Sequence, residues 1–231
     1  MQNSNIEITK MAEDFIVLEE NHGVRAYLFI GKTSALLVDA GFTPAMTAAA
    51  KICTDLPLHL ILTHGDGDHT GGAGDFDGIL MHKDEAEYSK LSDKAQKLHD
   101  GSTVSVGRFT FEVIHIPGHT PGSIALLEKT QRFLIGGDSV QTGPIYMFGA
   151  GRDMAAYKAS MEKLIARRGE FDVVYSSHNE LEVAPAQLDA LKALAEDVLA
   201  GKLPEPAQGP EFLPKNVGVY GRGGAYFLLA R

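Results

Sequence analysis

The chain of 231 residues contains a single cysteine, Cys53. No internal disulfide can form, which removes the disulfide-stapled extracellular scaffolds from consideration. Cys53 lies in an alanine-rich helical stretch and reads as a packing residue rather than a reactive thiol. Positive charge is also scarce. Lysine and arginine number 21 against 30 acidic residues, for a net charge of −9, and no basic run occurs. That balance argues against a nucleic-acid-binding surface. An anionic substrate stays open, because a bound metal would itself be cationic. No apolar run reaches the length of a membrane span. The opening stretch, Met1 to Lys10, is polar and mixed, without the apolar core of a signal peptide. A cytoplasmic location is expected, which argues against an exported antibiotic-degrading enzyme. Low-complexity segments and solenoid-type repeats are missing as well.

Hydrophobic residues make up 44% of the chain, enough for a sizeable core. A single domain over 1–231 is expected, in two pseudo-halves of about 1–100 and 101–231. Runs rich in branched and aromatic residues predict strands at 15–19, 24–30, 35–38, 58–62 and 79–81. The second half predicts strands at 104–106, 109–116, 123–127, 133–135, 173–175 and 226–229. Helices are expected from Pro44 to about Cys53, over 84–91, over 154–168 and over 186–200. In the last of these, Leu188, Leu191, Leu194, Ala195 and Leu199 recur on one face. The proline-rich 202–214 segment is expected to be irregular.

The densest chemistry is the string His64-Gly65-Asp66-Gly67-Asp68-His69. Four side chains able to bind a metal are separated only by glycine, which lets the backbone bend so that neighbours converge. Imidazole and carboxylate together suit zinc, iron or manganese. Further candidates follow downstream: His119 in Pro117 to Gly122, Asp138 after Gly136-Gly137, and His178 after Ser176-Ser177. Each comes just past the carboxyl end of a predicted strand, the edge where sites assemble in α/β proteins. The plain alternative for each is a polar loop or capping residue, and for Asp66 a side chain facing solvent. His22, His59, His82, His99 and His115 lack a second ligand at useful spacing. Of these, His82 follows a strand and is placed for an outer-shell role.

With these residues in view, the chain resembles the metallo-β-lactamase-fold hydrolases, whose signature is His-x-His-x-Asp-His followed by a distant His, Asp and His. The resemblance runs from about Phe15 to His178 and includes Leu37-Val38-Asp39-Ala40-Gly41, in the family an early strand end near the site. It implies an α+β, four-layer αββα sandwich of two mixed sheets packed face to face with helices outside. It also implies two divalent metal ions, zinc first and iron or manganese as alternatives. His64, Asp66 and His119 would hold one ion, Asp68, His69 and His178 the other, and Asp138 would bridge. Alternate residues on an extended turn point to opposite sides, which agrees with that division. Two ions roughly 3.5–4 Å apart can share a water and lower its pKa from about 15.7 toward 7. The resulting bridging hydroxide would attack a carbonyl or phosphoryl centre, with Asp68 in a further catalytic role of orienting it or passing on its proton.

One position departs from the signature: Asp66 stands where the family has histidine. The added negative charge is expected to make the bound water harder to deprotonate and to favour harder ions. The leading expectation is hydrolysis of a small ester, thioester or lactone. Flavodiiron-like redox chemistry with a separate reductase is the alternative, because those enzymes carry a carboxylate at the same position. A phosphodiesterase comes third, and a binding protein that keeps the fold without catalysis is the fourth reading. Tyr146, Phe148 and Arg152, in the long loop after Asp138, are the candidate substrate contacts, an apolar wall with a guanidinium. The competing reading has Tyr146 and Phe148 anchoring the loop on the core. His22 to Arg25 is the candidate opposite rim. Expected partners are a small-molecule substrate, no nucleic acid and no membrane, in a monomer or homodimer.

Overall fold

The computed structural model describes residues 5–20, 23–203, 205–208 and 213–230. In chain order the first part holds β1 (Ile6–Ala12), β2 (Phe15–Glu20), β3 (Val24–Ile30), β4 (Ala35–Val38), α1 (Ala45–Cys53), β5 (Leu58–Ile61), α2 (Gly67–Thr70), β6 (Ile79–His82), α3 (Lys83–Tyr88) and β7 (Ala95–Leu98). The second part holds β8 (Thr103–Val106), β9 (Phe109–His115), β10 (Ile124–Glu128), β11 (Phe133–Gly137), β12 (Pro144–Tyr146), α4 (Met154–Ala166), β13 (Val173–Ser176), β14 (Glu182–Val183), α5 (Gln187–Leu199), β15 (Ala207–Gln208), β16 (Val217–Arg222) and β17 (Ala225–Ala230).

The seven strands β1 to β7 form one sheet in chain order. It is antiparallel up to β4 and parallel from β4 onward. The second sheet has the order β14-β13-β11-β10-β9-β8. Alternate residues of each strand serve different layers, as the two-residue period of a strand requires. Phe15, Val17, Tyr27 and Phe29 pack with Phe109, Phe111, Phe133 and Tyr175 between the sheets. Phe15 stacks on Phe29 at 4.7 Å and on Phe133 at 5.7 Å between ring centroids. The neighbouring residues Ile16, Leu18 and Leu28 point the other way, against Met46, Ala49 and Ala50 of α1. Ile114, Leu127 and Leu134 leave the far side of the second sheet to meet Tyr157, Met161 and Leu164 of α4 and Leu188 and Leu191 of α5. The result is the helix–sheet–sheet–helix order expected. Both sheet faces are buried, so the central strands read as nearly continuous apolar runs.

Several expectations are corrected. Part of the polar opening stretch forms β1, an edge strand whose residues are mostly exposed. The loop after Asp138 contains β12, which joins β17, β16 and β15 in a third, four-stranded sheet. Leu199, placed on the apolar face of α5, is half exposed at its end. Cys53 closes α1 half-buried, and burial pushes its thiol pKa up, in keeping with packing rather than reactivity. Among the described residues no helix is long and apolar enough to cross a membrane.

Candidate metal centre

Topology explains the meeting point. Strands β9 and β11 both run antiparallel to β10, and β13 runs parallel to β11. Their carboxyl ends therefore open on one edge, and the loops beyond them carry His119, Asp138 and His178. The hexapeptide follows β5 in the facing sheet. All seven expected ligands converge there. His119 Nε2 lies 3.2 Å from Asp66 Oδ2, and His64 Nε2 is 3.9 Å from the same oxygen. On the other side His178 Nε2 is 3.2 Å from Asp68 Oδ2, and His69 Nε2 is 3.6 Å from it. Asp138 stands between the groups. Its Oδ2 is 3.8 Å from His64 and 3.7 Å from His119, while its Oδ1 is 3.1 Å from His69 and 3.2 Å from His178.

Every one of the four histidines is anchored through Nδ1 and presents Nε2 inward. His119 Nδ1 bonds the Tyr146 carbonyl at 3.0 Å, and His178 Nδ1 the Gly23 carbonyl at 3.1 Å. His69 Nδ1 bonds Asp39 Oδ2 at 2.9 Å, and His64 Nδ1 meets Thr63 Oγ1 at 2.9 Å. A bonded Nδ1–H leaves the lone pair on Nε2, the arrangement that metal-binding histidines use. The Nε2 atoms of His64, His69 and His119 and Asp138 Oδ1 are buried without a hydrogen-bond partner. Buried polar atoms left so are costly. Divalent cations would satisfy them, so the donor set fits the metals that the sequence implies.

Electrostatics agree with a site built for positive charge. Burial alone would raise the Asp138 pKa, but His178, His69 and His64 outweigh it and hold the carboxyl well below its usual range. Burial also opposes ionisation of Asp66, yet the adjoining His119 and the nearby His64 and Arg152 keep its pKa low. His178 is pushed down by burial and up by Asp138 and Asp68, ending at about 9. His64, dominated by burial and the neighbouring His69, falls to about 4 and stays neutral.

Two supporting residues complete the site: Asp39, in the stretch placed near it by resemblance, and Glu85, to which the sequence assigned no role. Asp39, wholly buried, accepts from Thr63 N at 2.7 Å and Thr63 Oγ1 at 2.8 Å as well as from His69. Its backbone φ of 63° is unusual for a residue with a side chain, though aspartate tolerates it. Glu85 on α3 is equally buried and ties two ligand loops together. It accepts from Gly65 N at 2.5 Å, Thr120 Oγ1 at 2.7 Å and Gly122 N at 2.9 Å. A charged residue closing a four-residue apolar strand was the available signal for Asp39; Glu85 gave none. His82 caps α3 and stacks on His115 at 3.8 Å with ring planes 14° apart. His82, Asp84 and His115 bring ligand atoms close together, but His82 Nδ1 already accepts from Asp84 N at 3.3 Å and His115 Nε2 meets the Pro121 carbonyl at 3.0 Å.

A cavity of about 780 Å³ opens on Asp66, Asp68, Asp138 and His178. Its walls include Val24, Phe42, Pro144, Tyr146 and Leu228. Tyr146 thus stands where a substrate contact was expected, and Phe148 packs beside its ring at 5.5 Å. Arg152 does not face the cleft freely, contrary to expectation. Its Nη2 bonds Asp66 Oδ2 at 2.5 Å and its Nη1 bonds the His119 carbonyl at 2.6 Å. The added carboxylate at Asp66 is therefore opposed by a guanidinium, which the charge argument from sequence had not included. On the expected rim, Gly23, Val24 and Arg25 line the cavity, while His22 lies outside the described residues. Arg25 pairs with Glu19 and bonds the carbonyls of Ser176 and Asn179, so it braces the His178 loop.

Residues 21–178 match the family model of the metallo-beta-lactamase superfamily, and the chain belongs to that family. Among curated relatives, the Homo sapiens acyl-coenzyme A thioesterase MBLAC2 is 27% identical over 212 residues, covering 76% of this chain and 72% of its own. The atrochrysone carboxyl ACP thioesterase of Claviceps purpurea is 28% identical over 111 residues, covering 48% of this chain and 35% of its own. Among solved structures, a metallo-beta-lactamase from Pontibacter korlensis aligns with a TM-score of 0.71 at 19% identity, covering 84% of this chain and 100% of that one. The last likeness concerns fold alone. Family and thioesterase-named relatives together identify the chain as a hydrolase enzyme.

Proposed function

We propose that the chain is a binuclear metal-dependent hydrolase of small acyl substrates, with thioesters first and simple esters and lactones next. The observation that carries this reading is Asp138, whose two oxygens face two separate groups of ligands. His64, Asp66 and His119 with Asp138 Oδ2 would hold one divalent ion; Asp68, His69 and His178 with Asp138 Oδ1 would hold the other. Zinc is the first candidate for this nitrogen and oxygen set. When bound, two such ions supply an activated water and a Lewis acid for the carbonyl. The chain's own residues do the rest. Asp68, whose carboxylate lines the cavity, would orient the attacking water and accept its proton. Val24, Phe42, Tyr146 and Leu228 provide an apolar wall for the acyl portion. Thioester chemistry is favoured over the other two because two curated relatives carry thioesterase names. A single half-buried cysteine suits a reducing, cytoplasmic setting.

The test is elemental analysis of protein purified without added metal, followed by a panel of acyl thioesters, esters, lactones and phosphodiesters. Two ions per chain and thioester turnover are expected. One ion or none in the folded protein, or turnover of phosphodiesters alone, would refute the reading.

A further inference from the structure

We propose that Arg152 is a positioning residue of the metal centre, which fixes Asp66 in the first ligand group and supplies the charge that makes a carboxylate equivalent there to a neutral imidazole. This rests on the two-metal reading above. Asp66 occupies the position before α2 where an aspartate normally caps the helix, yet its side chain makes no capping bond. Oδ2 is turned instead to Arg152 at 2.5 Å and to His119 at 3.2 Å. A carboxylate oxygen offers more than one lone-pair direction, so the bond to Arg152 leaves room for an ion.

The guanidinium is held as firmly as the ligands. Its side chain is 10% exposed. Nη1 bonds the His119 carbonyl at 2.6 Å, so one planar group spans both members of the pair, Asp66 and His119. Asp153 N bonds the Gly118 carbonyl at 2.8 Å, which stitches the segment bearing Arg152 to the loop bearing His119. The turn into Arg152 is made by Gly151 at φ +81°, packed against the Tyr88 ring; a Cβ there would lie 2.6 Å from Tyr88 Cε2. The arrangement is thus built from four segments: the hexapeptide, the end of α3, the His119 loop and the turn leading into α4.

Charge completes the case. Asp66 and Arg152 together sum to zero, which is the charge of a neutral histidine. The pair returns the centre to the balance of the usual signature, and the shift toward harder ions expected from Asp66 alone does not follow. Outer partners of metal ligands are worth about 10–100-fold in affinity.

The experiment uses the full chain loaded with cobalt(II), titrated with a chelator and followed by metal content and by the visible spectrum of the bound ion. Wild type should release two ions. Arg152→Met should release one of them at a chelator concentration at least about tenfold lower, with loss of one component of the spectrum. Asp66→His alone leaves Arg152 unpaired beside the ion and should also weaken that site. The double variant Asp66→His with Arg152→Met should restore it, and this rescue keeps the test decisive if Arg152→Met folds poorly. Arg152→Met with wild-type release of both ions, or a double variant no better than Asp66→His, overturns the proposal while the two-metal reading stands. Wild type that binds fewer than two ions overturns both.

Discussion

Replacing Asp39 with asparagine should weaken both metal positions, although Asp39 belongs to neither ligand group. The reason is a proton relay. Thr63 N donates to Asp39 Oδ1, and the Thr63 hydroxyl donates to Oδ2. With its proton so placed, the Thr63 oxygen must accept from His64 Nδ1, and Oδ2 likewise accepts from His69 Nδ1. The network thereby assigns the tautomer of His64 in one group and His69 in the other, with both Nε2 lone pairs turned toward the ions. In asparagine the carbonyl must stay on Thr63 N, so the amino group replaces Oδ2. It then donates to His69 Nδ1 and to the Thr63 oxygen, whose proton turns to His64. Both imidazoles would carry hydrogen on Nε2 and lose the ligating lone pair.

The expected loss is about 10–100-fold in affinity for each ion, or about 1.4–2.8 kcal/mol. Asparagine readily adopts the φ of 63° found at this position, so the backbone is preserved. Alanine would be a poorer probe, because it adds a backbone penalty of roughly 1–2 kcal/mol and orphans the Thr63 amide. The assay is chelator competition with metal content read at each step, beside a thermal melt of the metal-free protein. If Asp39→Asn releases both ions at the wild-type chelator concentrations, the relay is not what prepares the site.

Glu85→Gln keeps the shape of a buried side chain but turns an amide N–H₂ toward one of the donors that Glu85 now accepts. A loss of about 2 kcal/mol is expected, read as a fall in melting temperature of about 4–8 °C; no change would mean that the two ligand loops hold themselves. Gly71→Ala places a Cβ about 2.0 Å from the Phe42 carbonyl carbon and should cost about 3 kcal/mol or more, measured by denaturant unfolding. A wild-type midpoint would show that the loop at Phe42 yields freely. The metal-free protein should lose stability between pH 6.5 and 9. His178 has its folded pKa raised to about 9, so its contribution is full below the unfolded value and vanishes as pH rises through the folded one. Metal-loaded protein should show the reverse trend over that range, because binding requires neutral imidazole. Melts at several pH values with and without chelator check both signs.

The ligands were legible in the sequence because their side chains are chemically distinctive and follow apolar runs. Strands β3 and β4 match their expected bounds, since a strand buried on both faces announces itself by composition alone. What stayed hidden depends on partners far along the chain. Tyr146 lies on β12, which pairs with β17, Pro144 opposite Tyr226. Nothing local to residues 141–153 carries that pairing. Arg152 reads from sequence as a guanidinium near the site, but its partner Asp66 is 86 residues away, so its anion is the protein's own carboxylate rather than a substrate's. An extra buried carboxylate calls for a buried cation, but only the packed structure identifies it as Arg152.

The same long-range contacts make the centre a property of the packed sandwich rather than of either sheet. His64, Asp66, Asp68 and His69 come from the first sheet's loops, and His119, Asp138 and His178 from the second's. The anchors cross over as well: Gly23, just before β3, fixes His178, and Tyr27 donates to the Ser176 carbonyl at 2.5 Å. Arg25 adds a second brace from the same strand to the carbonyls of Ser176 and Asn179. Separating the sheets would pull apart the ligand groups and the residues that set the orientation of His178. Metal binding would therefore stabilise the docking of the two sheets, and mutations in the aromatic layer around Phe15 should weaken metal affinity without touching the ligands.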